Sequence, residues 1–331
     1  MARHGTVHAH ELGEKKMVDF RYHLVSLISV FVALAIGIIL GAGPLQTPIA
    51  NSLSGQVKTI REEQAAISAQ VETARIDIAQ RNEWVQNVTE AVLPQTFTGI
   101  DVAIVASEDA RPEDIESISN LVTTAGGKVN QQATLTPGWH NGELSQYRSS
   151  LSGAMATHLS EKPAADAPPS QILASSLVDA LTKDGDEALL LRQMLNDESN
   201  PLVTFHQEPA KSQAIVIIGG PTPEVPATAA TPTPTATQLG EDDSTMWSEL
   251  ARAAAKAPKS AVVVGAATTA DELVSVVRTA QIPVTTIDGV GTSMSNASTV
   301  LALTTAKAEA RAFGFASGAT AVVPPLPASV K

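Results

Sequence analysis

Cysteine, histidine and closely spaced carboxylates carry most metal ligation, nucleophilic catalysis and proton transfer in proteins, and this chain uses them sparsely. It has seven His and no Cys in 331 residues, which excludes disulfide staples, zinc fingers, iron–sulfur ligation and thiol catalysis. His140, His158 and His206 are the histidines beyond the N-terminal region, and none sits in HExxH or another close ligand spacing, so they read as surface or capping residues. His4, His8 and His10 could chelate a metal only as part of a flexible tail. The six Met are scattered singly and form no methionine track for copper. A Ser-His-Asp triad is set by geometry, and no segment marks one. Four loops follow apolar strand-like runs, SEDARPED, GGPTPE, GAATTADE and DGVGTS, and none is GxGxxG or a Walker loop. Gly289 and Gly291 precede a helix and are a weak anion-site signal, better read as a tight turn. No catalytic, cofactor-binding or metal residue is therefore assigned, and a non-enzymatic protein is expected.

The elements that would have to position any site begin with a membrane anchor. Leu24 to Gly43, LVSLISVFVALAIGIILGAG, is twenty residues whose only polar side chains are Ser26 and Ser29. As a helix it covers about 30 Å, the thickness of a bilayer's hydrocarbon core. A cleaved signal peptide would carry a shorter apolar run and a small-x-small site, and here Pro44 follows directly, so an uncleaved anchor is the better reading. Arg3, Lys15, Lys16 and Arg21 precede the helix, and the next basic residue is Lys58, which puts residues 1–23 in the cytoplasm and the bulk of the chain outside the plasma membrane. Ser29, Ala33, Gly37 and Gly41 recur every four residues, a small-residue stripe that either associates with another helix or is incidental.

A heptad seam follows over residues 51–93. Leu53, Val57, Ile60, Gln64, Ile67, Val71, Ala74, Ile78, Arg81, Val85, Val88 and Val92 alternate spacings of four and three, and Pro94 ends the run. The seam fits a parallel homodimer with Gln64 as a polar register device; it also fits a helix from another partner, or packing on the chain's own domain.

Residues 98–331 read as an α/β domain. Short apolar runs at Ile100–Ala106, Val129–Leu135, Gln213–Ile218, Ser260–Val264 and Val284–Ile287 predict about five strands of a Rossmann-like parallel sheet. Helices are expected at Ile172–Thr182, Glu187–Leu195, Ser244–Ala257, Thr269–Ala280 and Ser295–Phe313. Pro221 to Thr237 holds five Pro, six Thr and four Ala in seventeen residues, and residues 221–240 are expected to be a disordered loop.

Composition narrows the function class. Aromatics are 3% of the chain, too few for the two girdles of an outer-membrane barrel, and a net charge of −12 repels nucleic acid.

The segment MVDFRYHLVSLISVFVALAIGIILGAGPL, and within it Phe20 to Leu45 above all, resembles the actinobacterial MctB family, including its corynebacterial SteB branch. The resemblance runs over nearly the whole chain from Met17. It implies one of two roles: a copper transporter or channel, or a cell-separation factor that acts with a SteA-like membrane partner and engages a peptidoglycan hydrolase through the coiled coil. The absence of barrel patterning, and of Cys, Met or His within Leu24 to Gly43, makes the expectation an envelope scaffold or regulator, with copper transport second and ligand sensing near Gly219, Gly265 or Gly289 third.

Overall fold

In the computed structural model, which describes residues 14–42, 46–221 and 241–326, the chain is mixed α/β. The 221–240 segment, apart from Pro221, and the histidines of the tail lie outside the described residues. Two compact units are present, residues 1–78 and 79–331.

The first unit contains helix α1 (Glu14–Ala42) and most of α2 (Gln46–Val92). The apolar run forms helix because every backbone polar group is then satisfied internally, the condition for crossing a bilayer. Phe20–Gly41 is the one helix, among the described residues, long and apolar enough to do so. Helix α2 ends two residues before Pro94, as the sequence requires.

The second unit is a seven-stranded sheet with helices on both faces. Its strands are β1 (Asp101–Ala106), β2 (Lys128–Leu135), β3 (Val203–Phe205), β4 (Ala214–Ile218), β5 (Ser260–Gly265), β6 (Thr285–Asp288) and β7 (Arg311–Phe313). The order is β3-β2-β1-β4-β5-β6-β7, parallel throughout except for the antiparallel edge strand β3. The sheet is open at β3 and β7.

Strand side chains alternate between two cores. Val105, Ile215, Ile217 and Val263 face a core built with α4 (Ser145–Met155), α5 (Pro169–Thr182), α6 (Asp186–Leu195), α7 (Glu241–Ala254) and α8 (Leu273–Thr279). Ile104, Val216, Ile218 and Val264 face the other, built with α3 (Pro112–Thr124), α9 (Ser293–Thr305) and the segment after α2, through Leu93 and Phe97. Burial on both faces explains why these strands read as continuous apolar runs.

All five expected strands are present, and two more extend the sheet. The region expected as one helix from Ser295 to Phe313 is a correction: α9 stops at Thr305, and Arg311–Phe313 pairs with β6 in register Thr285↔Arg311 and Ile287↔Phe313. The local sequence AKAEARA favours helix, but pairing buries Ala312 and Phe313 against the sheet, and tertiary burial outweighs a propensity difference of a few tenths of a kcal/mol per residue. Helix α8 begins at Leu273, four residues after the expected start, because the Glu272 side chain accepts hydrogen bonds from the backbone N–H groups of Thr268 and Thr269 and holds that loop out of the helix. Helix α4 and strand β3 carried no clear periodic signal.

Candidate functional site

Among the described residues, the apolar face of α2 and the cleft above the carboxyl ends of the strands present chemistry to the outside.

On α1, Gly37 and Gly41 have no neighbouring atoms where a Cβ would lie, so the small-residue stripe is open. On α2 in the first unit, Val57, Ile60, Ile67, Val71 and Ile78 are all exposed, with Ile60 at 60% and Ile78 at 56%. Gln64 is exposed within the same seam. Unpartnered apolar side chains at heptad spacing are unusual on a free helix, because each forgoes roughly 1.5–3 kcal/mol of burial.

In the second unit the seam changes character. Val85 is only 9% exposed, and Thr89 and Leu93, four and eight residues on, are also buried. Val88 remains on the outer side at 36%. The expected interface position Val85 is thus covered by the chain's own residues, beside Leu121 of α3 and Ala297 of α9.

The cleft lies where the order of strands reverses, between β1 and β4, the position at which open α/β sheets bind ligands. Backbone hydrogen bonds carry the sheet one residue further, Ser107 N to Ile218 O at 2.8 Å and Gly219 N to Val264 O at 2.8 Å, so three loops start side by side. They enclose a cavity of about 350 Å³. The β1 loop gives Glu108 and Asp109, and the Ser107 hydroxyl donates to the Asp109 carboxylate. The β4 loop gives Gly219 and Gly220. Asp109 occupies the space a side chain at Gly220 would need, and a Cβ at Gly219 would lie 2.9 Å from Leu273 Cδ2. These glycines let acidic and apolar side chains close over the backbone. The β5 loop gives Asp271 and Glu272.

His140 enters the cleft from the turn after β2, its Nε2 3.7 Å from Glu108 Oε1 and its ring 6.5 Å from that of Trp247 on α7. The turn is fixed by buried Arg148, whose Nη1 donates to Gly138 O at 3.0 Å and Asn141 O at 2.6 Å on either side of the histidine. His158 instead pairs with Glu187, and His206 hydrogen-bonds Thr134 at 2.8 Å. Only the four loop segments were visible in the sequence as strand-end candidates. Trp247 and His140 reach the cleft from elements distant in the chain, and no spacing rule links them.

The second strand-end hollow, about 420 Å³, runs from Ala266–Thr268 past Asp288–Val290 to Phe315–Ser317. Its central acid is already engaged. Asp288 pairs with Arg278 at 3.0 Å and accepts from Phe315 N at 2.7 Å and Ala316 N at 3.1 Å. Gly289 and Gly291 adopt φ of +75° and +92°, so they form the tight turn expected. The N-terminus of α9 is capped by Thr292, whose Oγ1 accepts from Ser295 N at 3.1 Å, and the Arg111 guanidinium covers Gly291. No anion site is built there.

Among the described residues, no three His, Asp or Glu side chains come together to hold a metal ion.

Comparison with known proteins adds the family. A family described as "Copper transport outer membrane protein, MctB" matches residues 17–324. Relatives named copper transporter MctB include those of Mycobacterium tuberculosis and Mycobacterium bovis, each 29% identical over 120 residues, and that of Mycobacterium leprae at 25%. The aligned stretch covers 36% of this chain and 38% of each relative. The match extends across the apolar helix, α2 and all seven strands, and the chain belongs to the MctB family of membrane-associated proteins.

Proposed function

We propose that this chain is a non-enzymatic, membrane-anchored protein of copper transport, with its α/β domain outside the plasma membrane and copper as cargo. The observation that carries this reading is the family match over residues 17–324, from the apolar helix to the end of the sheet domain. It moves copper transport ahead of the cell-separation role expected from the sequence.

The architecture constrains how such a protein would act. An open, mostly parallel sheet covered by helices does not cross a bilayer, since only helices and closed barrels satisfy their backbone there. A single α1 encloses no path for an ion. Transport therefore requires assembly, of several copies or with a membrane partner, and the open small-residue stripe with the exposed seam supports a homodimer.

A second reading rests on the same exposed seam. Val57, Ile60, Ile67 and Val71 could equally receive a helix of a SteA-like partner or a peptidoglycan hydrolase and make the chain a scaffold of cell separation. One pair of strains distinguishes the two. In a deletion strain complemented or not with the full chain, cellular copper measured by mass spectrometry should rise on deletion and return on complementation. Unchanged copper with chains of unseparated cells would reject transport and favour the scaffold.

A further inference from the structure

We infer that the exposed stretch of α2 pairs with the same stretch of a second copy, parallel and in register, and that the charges beside its apolar seam reject the reversed arrangement. The inference rests on the self-association proposed above and not on copper transport.

Among the described residues, the chain supplies no cover for this stretch. Residues 55–78 are all exposed, including Val57, Ile60, Ile67, Val71 and Ile78. A helix in water draws most of its stability from burying an apolar face, so this one is completed by another helix. The pairing ends near Ile78, because one heptad further on Val85 is already covered beside Leu121 and Ala297.

Charge complementarity chooses the second copy and its direction. With Val57, Gln64, Val71 and Ile78 at the a positions and Ile60, Ile67 and Ala74 at the d positions, the two flanks of the seam differ in charge. The e flank carries Arg61, Ser68 and Arg75, and is basic or neutral; the g flank carries Gln56, Glu63, Gln70 and Asp77, and is acidic or neutral. In a parallel pair the g flank of one copy meets the e flank of the other, so Gln56 faces Arg61, Glu63 faces Ser68, Gln70 faces Arg75, and no like charges meet. In an antiparallel pair each flank meets itself. With a positions seated on d positions along the whole seam, Arg61 then faces Arg75 and Glu63 faces Asp77, which sets like charges on both sides.

Gln64 fixes the register. In register it lies opposite Gln64 of the second copy, where two amides can donate to and accept from each other; a shift of one heptad sets each amide against Val57 or Val71, and reversal sets it against Ala74. The anchor acts in the same sense. Helix α1 ends at Ala42 and α2 begins at Gln46, so two copies inserted with the same orientation start their seams from the same membrane surface, as a parallel pair requires.

The chain has no cysteine, so single cysteines report the geometry. In detergent micelles treated with a short bis-maleimide, full-length Val57→Cys and Ile78→Cys should each form a covalent dimer, since a positions face themselves in a parallel pair, and Ala69→Cys on the outer side of the helix should not. In an antiparallel pair Ile78→Cys would link only to Ile60→Cys of the other copy. Gln56→Glu combined with Gln70→Glu sets new carboxylates against Arg61 and Arg75 of a parallel partner and should tighten dimerisation about tenfold in analytical ultracentrifugation, an effect that salt removes. In an antiparallel pair position 70 would meet itself, and the same variant would weaken dimerisation. Absence of a dimer, equal linkage of Ala69→Cys, linkage of Ile78→Cys only to Ile60→Cys, weaker dimerisation of the double variant, or, in membranes of the expressing cells, linkage of Val57→Cys to a different protein instead of a second copy would each overturn the inference. Cellular copper in the deletion strain tests transport separately: the expected links with unchanged copper reject transport and leave the pairing standing, and altered copper without the links does the reverse.

Discussion

Asp288 ends β6 with a carboxylate only 3% exposed, and that carboxylate helps to hold the C-terminal segment. It pairs with Arg278, 9% exposed, and receives the N–H groups of Phe315 and Ala316. Arg278 in turn donates to Phe313 O at 2.9 Å and Ser317 O at 3.2 Å. The pair thus clasps the chain after β7 to the sheet. Removing one partner of a buried pair strands the other charge, so Arg278→Ala should lower stability by about 3 kcal/mol, read from the urea midpoint. Arg75→Ala, which breaks the exposed pair with Glu72 at 4.0 Å on α2, should leave the midpoint unchanged. A second buried arginine secures the opposite edge. Arg192 lies 4.0 Å from the centroid of the Phe205 ring and donates to Gln131 and to the Gln207 carbonyl. Burial lowers its pKa from the ordinary arginine value, and the Glu208 carboxylate works against that shift. None of these partnerships is readable from spacing, because Arg278, Asp288 and Phe315 are brought together by the β6–β7 pairing and not by sequence proximity.

Helix α2 is one element with two environments. From Val57 to Ile78 its apolar positions are exposed, and from Val85 onward the face that carries Val85, Thr89 and Leu93 is buried. The heptad pattern alone gives both stretches the same reading, since Ile78 and Val85 stand one heptad apart at equivalent positions and differ only in what the tertiary structure places beside them. Ile78 is exposed, whereas Val85 shares a hollow with Leu121 and Ala297. Two variants separate the roles. Val71→Asp combined with Ile78→Asp should abolish self-association in analytical ultracentrifugation while leaving thermal unfolding of the α/β domain unchanged. Val85→Asp should instead destabilise that domain by about 3 kcal/mol, because it places a charge in a buried apolar position. If both variants leave assembly and stability unchanged, neither an interface on the first stretch nor packing on the second is tenable. The same contrast of local pattern and tertiary context decided the C-terminal region, where a helix-forming sequence became β7 because the edge of β6 was available to pair.

For the molecule as a whole, the asymmetry of basic residues around the apolar helix orients the proposal of an external α/β domain. The lack of native cysteine makes that orientation easy to measure. In intact cells, Ser149→Cys, at an exposed position of α4, should react with a membrane-impermeant maleimide; labelling only after lysis would reverse the assignment. The sequence by itself determined the long apolar N-terminal helix, the end of α2 ahead of Pro94 and the five central strands, because an unbroken apolar run, a proline stop and two-sided burial are each written locally. It also determined the class of the domain, since alternating apolar runs and helices leave a parallel sheet as the way to bury both faces. What only the tertiary structure decided was the strand order, and with it the location of the cleft. Glu108, Asp109, His140 and Glu272 stand together because β2, β1, β4 and β5 are successive neighbours whose following loops leave the sheet at the same end, and α7 brings Trp247 to them. Long-range pairing sets those neighbours, and no local periodicity records it.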